Sequence, residues 1–117
     1  MPGSVIVSGA RTPIGRFNGG LASFTGAELG SHAISAALER SGITGDQVDH
    51  VVMGQVLQAG QGQITARQAA VGAGIPMDVP AITINKVCLS GLNAVYLACL
   101  LYTSPSPRDQ RGDRMPS

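Results

Sequence analysis

The chain has 117 residues, 44% of them apolar and 13% charged, with a formal net charge of +1, 3% aromatics and no Trp. That length supports one domain with a real core, and the near-neutral charge and scarce aromatics argue against a nucleic-acid surface or an anionic-membrane surface. No apolar run approaches the roughly 18 residues of a membrane span, no basic start precedes an apolar stretch at the N-terminus, and two cysteines make no disulfide framework, so a cytoplasmic setting is expected.

Taken in order, Ser4-Val5-Ile6-Val7-Ser8 is a β-branched run between Gly3 and Gly9 and predicts a buried strand. Arg11-Thr12-Pro13-Ile14-Gly15 breaks it, and loop continues through Gly20. Arg11 reads as a structural tie between loop and core rather than a substrate contact. Thr25-Gly26-Ala27-Glu28 is a capping-box pattern. Helical spacing follows at Leu29, Ala33, Ala36, Ala37 and Arg40, and Gly42 suits the position just past a helix end. The spacing therefore predicts a helix over Gly26–Ser41. His32 lies within it and has no partners at metal-ligand spacing, so it reads as a surface or packing residue.

A polar turn over 46–50 leads to a second predicted strand, 51–56, and then to the Gly/Gln-rich loop Ala59-Gly60-Gln61-Gly62-Gln63. A dinucleotide fingerprint after a strand would need a third glycine, and Thr65 stands in its place. Residues 65–73 predict a short helix of small residues, ended by Gly74-Ile75-Pro76. A third strand is expected at about 81–86, followed by a helix on which Leu89, Leu92, Val95, Tyr96 and Cys99 recur at spacings of three and four. If that helix ran from Cys88 to Cys99, the two thiols would stand roughly 16 Å apart, too far for a disulfide. The order β-α-β-α-β-α with short connections argues an α/β layered architecture with at least partly parallel strands. From Cys99 to Ser117 the composition turns to Ser/Pro and Arg/Asp. This 99–117 segment is expected to be a non-native or disordered tail, and its Arg111-Gly112-Asp113 tripeptide reads as chance.

Cys88 falls at the junction of the third strand and the last helix. The first N–H groups of a helix lack intrahelical partners, and the macrodipole places partial positive charge there. Such a place favours a thiolate, the nucleophilic form of cysteine. A lone cysteine among apolar neighbours also fits a small buried hydrophobe, and the local pattern leaves both readings open.

Asn85-Lys86-Val87-Cys88-Leu89-Ser90-Gly91 resembles the N-x-x-C-x-S-G signature around the acylated cysteine of thiolases, the acetyl-CoA acetyltransferase family. Ser8-Gly9-Ala10-Arg11-Thr12-Pro13-Ile14-Gly15 is similar to the family's first strand and the turn after it. The stretch from Gly54-Gln55-Val56 through Ala66-Arg67-Gln68-Ala69-Ala70 is similar to its second strand and second helix. The resemblance covers about residues 4–98 and implies a layered thiolase-like α/β fold, here an incomplete first half-domain. It implies that Cys88 attacks an acyl thioester and carries the acyl group, with two acetyl-CoA giving acetoacetyl-CoA and CoA. Coenzyme A thioesters would be substrates, with no cofactor and no metal. A homo-oligomer, a dimer-based tetramer, is implied as partner, with 81–86 and 54–67 near the subunit contact. The family's activating His, its second catalytic Cys and most of its CoA-binding loop come later than this sequence reaches, and Cys99 does not map to that second Cys. A β-ketoacyl synthase-like enzyme is an alternative on the same fold, and a non-catalytic truncated fragment is an alternative of another class. Cys88 is expected within about one residue of the helix N-terminus, with the chain turning at 85–87 so that Lys86 leaves the site. Gly91 is expected to let another segment, or a substrate thioester, come close to the backbone.

Overall fold

Thr25 starts the first element, as its capping box requires. Its hydroxyl oxygen accepts the Glu28 N–H at 3.1 Å, and the Glu28 carboxylate accepts the Thr25 N–H at 2.9 Å. Two otherwise orphaned donors of the first turn are thereby satisfied. The resulting helix, α1, spans Gly26–Ser41 and stops at Gly42, whose φ of 73° only glycine adopts without strain. These are the bounds that the sequence predicts. The computed structural model describes residues 3–103. After α1 and a 3-10 turn at Gly45–Gln47 come β1 (Val51–Gly54), α2 (Thr65–Gly72), β2 (Ala81–Ile84) and α3 (Ser90–Thr103).

β1 and β2 pair in parallel, from Val51 opposite Ala81 to Gly54 opposite Ile84. A parallel pair needs a crossover, and α2 supplies it. α2 is built of small residues and lies deep, with Ala66, Ala69 and Ala70 at 2% exposure or less. Gly30 of α1 lies against it, where a Cβ would come within 3.0 Å of the Ala69 Cβ. Ser31 donates its hydroxyl to the Ala69 carbonyl at 2.9 Å. The hydrophobic core is therefore a thin layer in which Val51, Ala66, Ala70, Ile75 and Val79 pack together, flanked by half-buried Ile34, Leu38, Val48, Met53 and Ala81.

The start of α2 is held from outside. Ile64, just before it, has a left-handed φ of 42° and offers no side-chain cap. The hydroxyl of Thr83, on β2, accepts the Ala66 N–H at 2.8 Å instead. The Thr65 hydroxyl donates to Gln55 Oε1, and the Gln55 amide donates to the Leu57 carbonyl at 3.1 Å. The Gly60–Gln63 loop is fastened to α2 by Gln68, whose amide donates to the carbonyls of Gln61 and Gln63 at 2.9 and 3.0 Å.

The order of the described elements is α-β-α-β-α, not the β-α-β-α-β-α of the sequence reading. The expected strand Ser4–Ser8 does not pair, and Val5 and Ile6 are 82% and 85% exposed. Strand formation needs a neighbour for the backbone N–H and C=O groups, and the described sheet contains β1 and β2 alone. The segment instead borders an apolar groove of about 890 Å³ formed with β1, α1 and α3. Its tie to α1 is the Arg40 guanidinium donating to the Gly9 carbonyl at 3.0 Å; Arg11, the expected tie, is exposed. β1 and β2 end at Gly54 and Ile84, two residues earlier than expected. His32 meets Phe24 edge to face at 5.8 Å, a packing contact. Residues 99–103 continue α3, and the rest of the expected 99–117 tail, 104–117, lies outside the described residues.

α3 rests directly on the end of β1. At Gly54 a Cβ would stand 2.5 Å from the Ser90 carbonyl carbon and 2.7 Å from the Gly91 nitrogen, both backbone atoms. Backbone cannot yield as a flexible side chain can, so the end of β1 and the start of α3 are in contact without a side chain between them.

Three outcomes follow. Thr25→Ala removes the cap of α1 and should lower stability by about 1 kcal/mol in urea unfolding followed by far-UV circular dichroism. The Thr25 backbone N–H first, and its side chain second, hold the Glu28 carboxyl below its ordinary range. A folded pKa below the unfolded one makes the contribution present above the unfolded value and lost as pH falls through the folded one. The stability lost by Glu28→Gln, which removes the carboxylate that accepts the Thr25 N–H, should therefore shrink toward acid pH. Gly54→Ala should destabilise by about 1–3 kcal/mol, because the start of α3 must shift to admit the methyl group; an unchanged urea midpoint would contradict the contact.

Candidate active site

The site is the turn between β2 and α3, and its shape follows from the side chains of Asn85 and Ser90. Asn85 follows the last residue of β2. Its amide donates to the Val56 carbonyl at 3.2 Å, tying the end of β2 to the chain leaving β1, and its Oδ1 accepts the Val87 N–H at 2.9 Å. The latter bond is an Asx turn, which asparagine forms because its short side chain imitates a backbone carbonyl. The chain therefore does turn over 85–87 as expected, and Lys86 is exposed.

Val87 then takes φ = 53°. A β-branched residue is disfavoured there, at a cost on the order of 1–3 kcal/mol, and the conformation persists only where its surroundings enforce it. Here the enforcement is a closed set of hydrogen bonds. Leu89 N–H donates to the Lys86 carbonyl at 3.0 Å and Ser90 N–H to the Val87 carbonyl at 3.1 Å. The Ser90 hydroxyl accepts the Lys86 N–H at 2.8 Å and donates to the Val87 carbonyl at 2.7 Å. Ser90 is 4% exposed, pressed against Gly54 from below.

Cys88 sits at the apex of this elbow and is exposed. It stands two residues before the first helical residue, Ser90, rather than within one of it. The reason is local: the left-handed step at Val87 and the tight turn through Leu89 use up one more residue than a direct strand-to-helix join. The sulfur is on the surface and not in a sealed core, so the reading of Cys88 as a small buried hydrophobe does not hold. An exposed thiol on a turn fixed by five or more hydrogen bonds can approach an electrophile without reorganising its backbone, which is the geometric requirement for nucleophilic catalysis.

At Gly91 no other described segment comes close. Open space surrounds the place of its absent side chain among the described residues, and the close approach occurs at Gly54. Sequence reasoning missed the supporting parts played by Gly54, Asn85 and Ser90. Asn85, two residues before Val87, is a legible Asx-turn signal. The contact between Gly54 and Ser90 spans residues far apart in the chain, and no local pattern marks it. Cys88 and Cys99 form no disulfide. Among the described residues, no three His, Cys, Asp or Glu side chains converge as a metal site, and no helix is long and apolar enough to cross a membrane.

The family model described as "Thiolase, N-terminal domain" matches residues 4–102. The chain is 59% identical over 98 residues to a probable acetyl-CoA acetyltransferase of Mycobacterium tuberculosis, covering 84% of this chain and 25% of that protein. It is 62% identical over 94 residues to an acetyl-CoA acetyltransferase of Cupriavidus necator, covering 80% of this chain and 24% of that one. It is 58% identical over 94 residues to a mitochondrial acetyl-CoA acetyltransferase of Xenopus tropicalis, covering 80% and 22%. The chain thus spans about a quarter of the length of the curated relatives it matches. A match over nearly the whole described chain, including the elbow that presents a cysteine between a parallel strand and a helix, shows that this chain belongs to the thiolase family.

Proposed function

We propose that the protein of which this chain forms the N-terminal part is an acetyl-CoA acetyltransferase, with Cys88 as the acyl-accepting nucleophile. The observation that carries the reading is the exposed Cys88 on its hydrogen-bonded elbow at the start of α3. In the first step the Cys88 sulfur bonds to the carbonyl carbon of acetyl-CoA. The carbon–sulfur bond to coenzyme A breaks, and CoA leaves as its thiol after taking the proton that Cys88 gave up. In the second step an acetyl-CoA loses an α-proton to a base, its carbon bonds to the acyl carbon, and the bond to Cys88 breaks. Acetoacetyl-CoA departs. Splitting one acyl transfer into two, through a covalent intermediate, lowers each barrier.

Coenzyme A thioesters are substrates in this reading, and no cofactor is called for. The base, and most of the contacts to coenzyme A, would come from the three-quarters of the relatives' length that the match does not cover. We place the protein in the cytoplasm, in line with its composition, while the Xenopus relative carries the name of a mitochondrial enzyme.

The same reading makes the protein a homo-oligomer, with β2 near the contact. β2 is an edge of the described sheet, and Ile82 on it is 52% exposed. Leu92 and Tyr96 of α3 are 68% and 60% exposed. Exposed large apolar side chains of this kind mark a face that is covered in the assembled protein.

The test is a chimera in which residues 4–98 replace the matching part of the Cupriavidus necator enzyme. It should turn over acetyl-CoA, and after brief incubation and an acid quench the acetyl group should map to the peptide holding Cys88. Cys88→Ser should lower turnover by about a thousandfold or more; normal turnover in that variant would sink the assignment. The 117-residue chain alone should show no turnover, because groups of a catalytic set act as a unit. Thiolase activity from a well-dispersed monomer of the chain would favour a different arrangement of the site. In the chimera, Ile82→Asp should dissociate the oligomer before it unfolds the subunit, read by light scattering against circular dichroism.

A further inference from the structure

The elbow contains one strained residue and one buried side chain able to hold it. Val87 is left-handed, and free of its surroundings a valine would leave that conformation. Two side chains reach it. Asn85 accepts the Val87 N–H, but Asn85 is exposed and water competes for that bond. Ser90 is 4% exposed, and its hydroxyl is used in both directions, accepting from Lys86 N–H on one side of Val87 and donating to the Val87 carbonyl on the other. A hydroxyl is among the few small groups that can do both at once. The backbone of Ser90 cannot recede, because it lies against Gly54 of β1. The hydroxyl is therefore a fixed point to which the Lys86 N–H and the Val87 carbonyl are both fastened.

We propose that Ser90 is a positioning residue: by holding Val87 in its left-handed conformation it sets where Cys88 presents its sulfur. The catalytic meaning of this rests on the reading of Cys88 as the nucleophile, whereas the structural claim stands on the elbow itself. Loss of the hydroxyl leaves Lys86 N–H without its partner and the Val87 carbonyl with the Ser90 N–H alone, and so weakens what opposes the strain. Val87 should then return to negative φ, rotating the Cys88 peptide and opening the turn bond from Leu89 N–H to the Lys86 carbonyl. A glycine at 87 carries no such strain, so it should keep the elbow without the serine.

Amide hydrogen exchange on the 117-residue chain reads the turn directly. Ser90→Ala should speed exchange of the Leu89 amide at least tenfold while the amides of α1 stay protected. Val87→Gly added to Ser90→Ala should bring Leu89 back to within about threefold of the unaltered chain. Unchanged Leu89 exchange in Ser90→Ala overturns the proposal. If Ser90→Ala loosens α1 as well, the double variant decides: recovery at Leu89 and α1 supports the role, and no recovery overturns it. In the chimera with the Cupriavidus necator enzyme, Ser90→Ala should lower kcat at least tenfold with KM within about twofold, and Val87→Gly should restore most of kcat. A loss confined to KM counts against a positioning role. An inactive chimera with unaltered elbow residues would defeat the functional reading, and Leu89 exchange would still decide what Ser90 does.

Discussion

Contact between two backbones, at Gly54 and Ser90, governs the arrangement of the turn that carries Cys88. α3 can lie on the parallel pair only because β1 ends in a residue with no side chain. From that contact the rest follows in sequence. Ser90 is buried because it faces Gly54, its hydroxyl is shielded because it is buried, and a shielded hydroxyl can hold two peptide groups against the competition of water. The strained step at Val87 and the exposed apex at Cys88 are the far end of this chain of causes. The glycine thus acts on the site without being near the sulfur in sequence.

A second constraint is the size of the side chains around α2. Alanines at 66, 69 and 70 and glycines at 30 and 72 let three layers approach closely, so the core holds few large groups. Burying small residues removes less apolar area per residue than burying Leu or Phe. Meanwhile Val5, Ile6, Leu92 and Tyr96 remain on the outside. The apolar groove among β1, α1 and α3 is the visible form of that imbalance.

The sequence made α1 legible to the residue, because its start and stop signals are chemical and local: Thr25 with Glu28 at one end, Gly42 at the other. β1, α2 and β2 were legible as elements from their apolar runs, and the cysteine turn from its motif. What escaped was of two kinds. The Ser4–Ser8 run has the composition of a strand, but pairing is a property of neighbours, and composition cannot supply one. The supports of the site, Gly54 under Ser90 and Thr83 at the head of α2, join residues 36 and 17 apart in numbering, respectively. Periodicity reports which face an element buries and says nothing of which atom on another element will meet it. Asn85 and Ser90 were in view as letters of a motif, and only the geometry gave them distinct tasks, one at each side of Val87.

The cap on α2 has a consequence for how the chain assembles. Eight residues are too few for a helix to persist by itself in water, and Ile64 gives this one no start signal. The group that satisfies its first turn, Thr83, belongs to a strand that comes later in the chain and takes its place only by pairing with β1. Neither element is complete without the other, so helix and sheet should form in a single event that closes the loop from 66 to 83. Native-state hydrogen exchange would display this as one shared opening free energy for α2 and β2, where α1, with both its caps in its own sequence, is free to open separately.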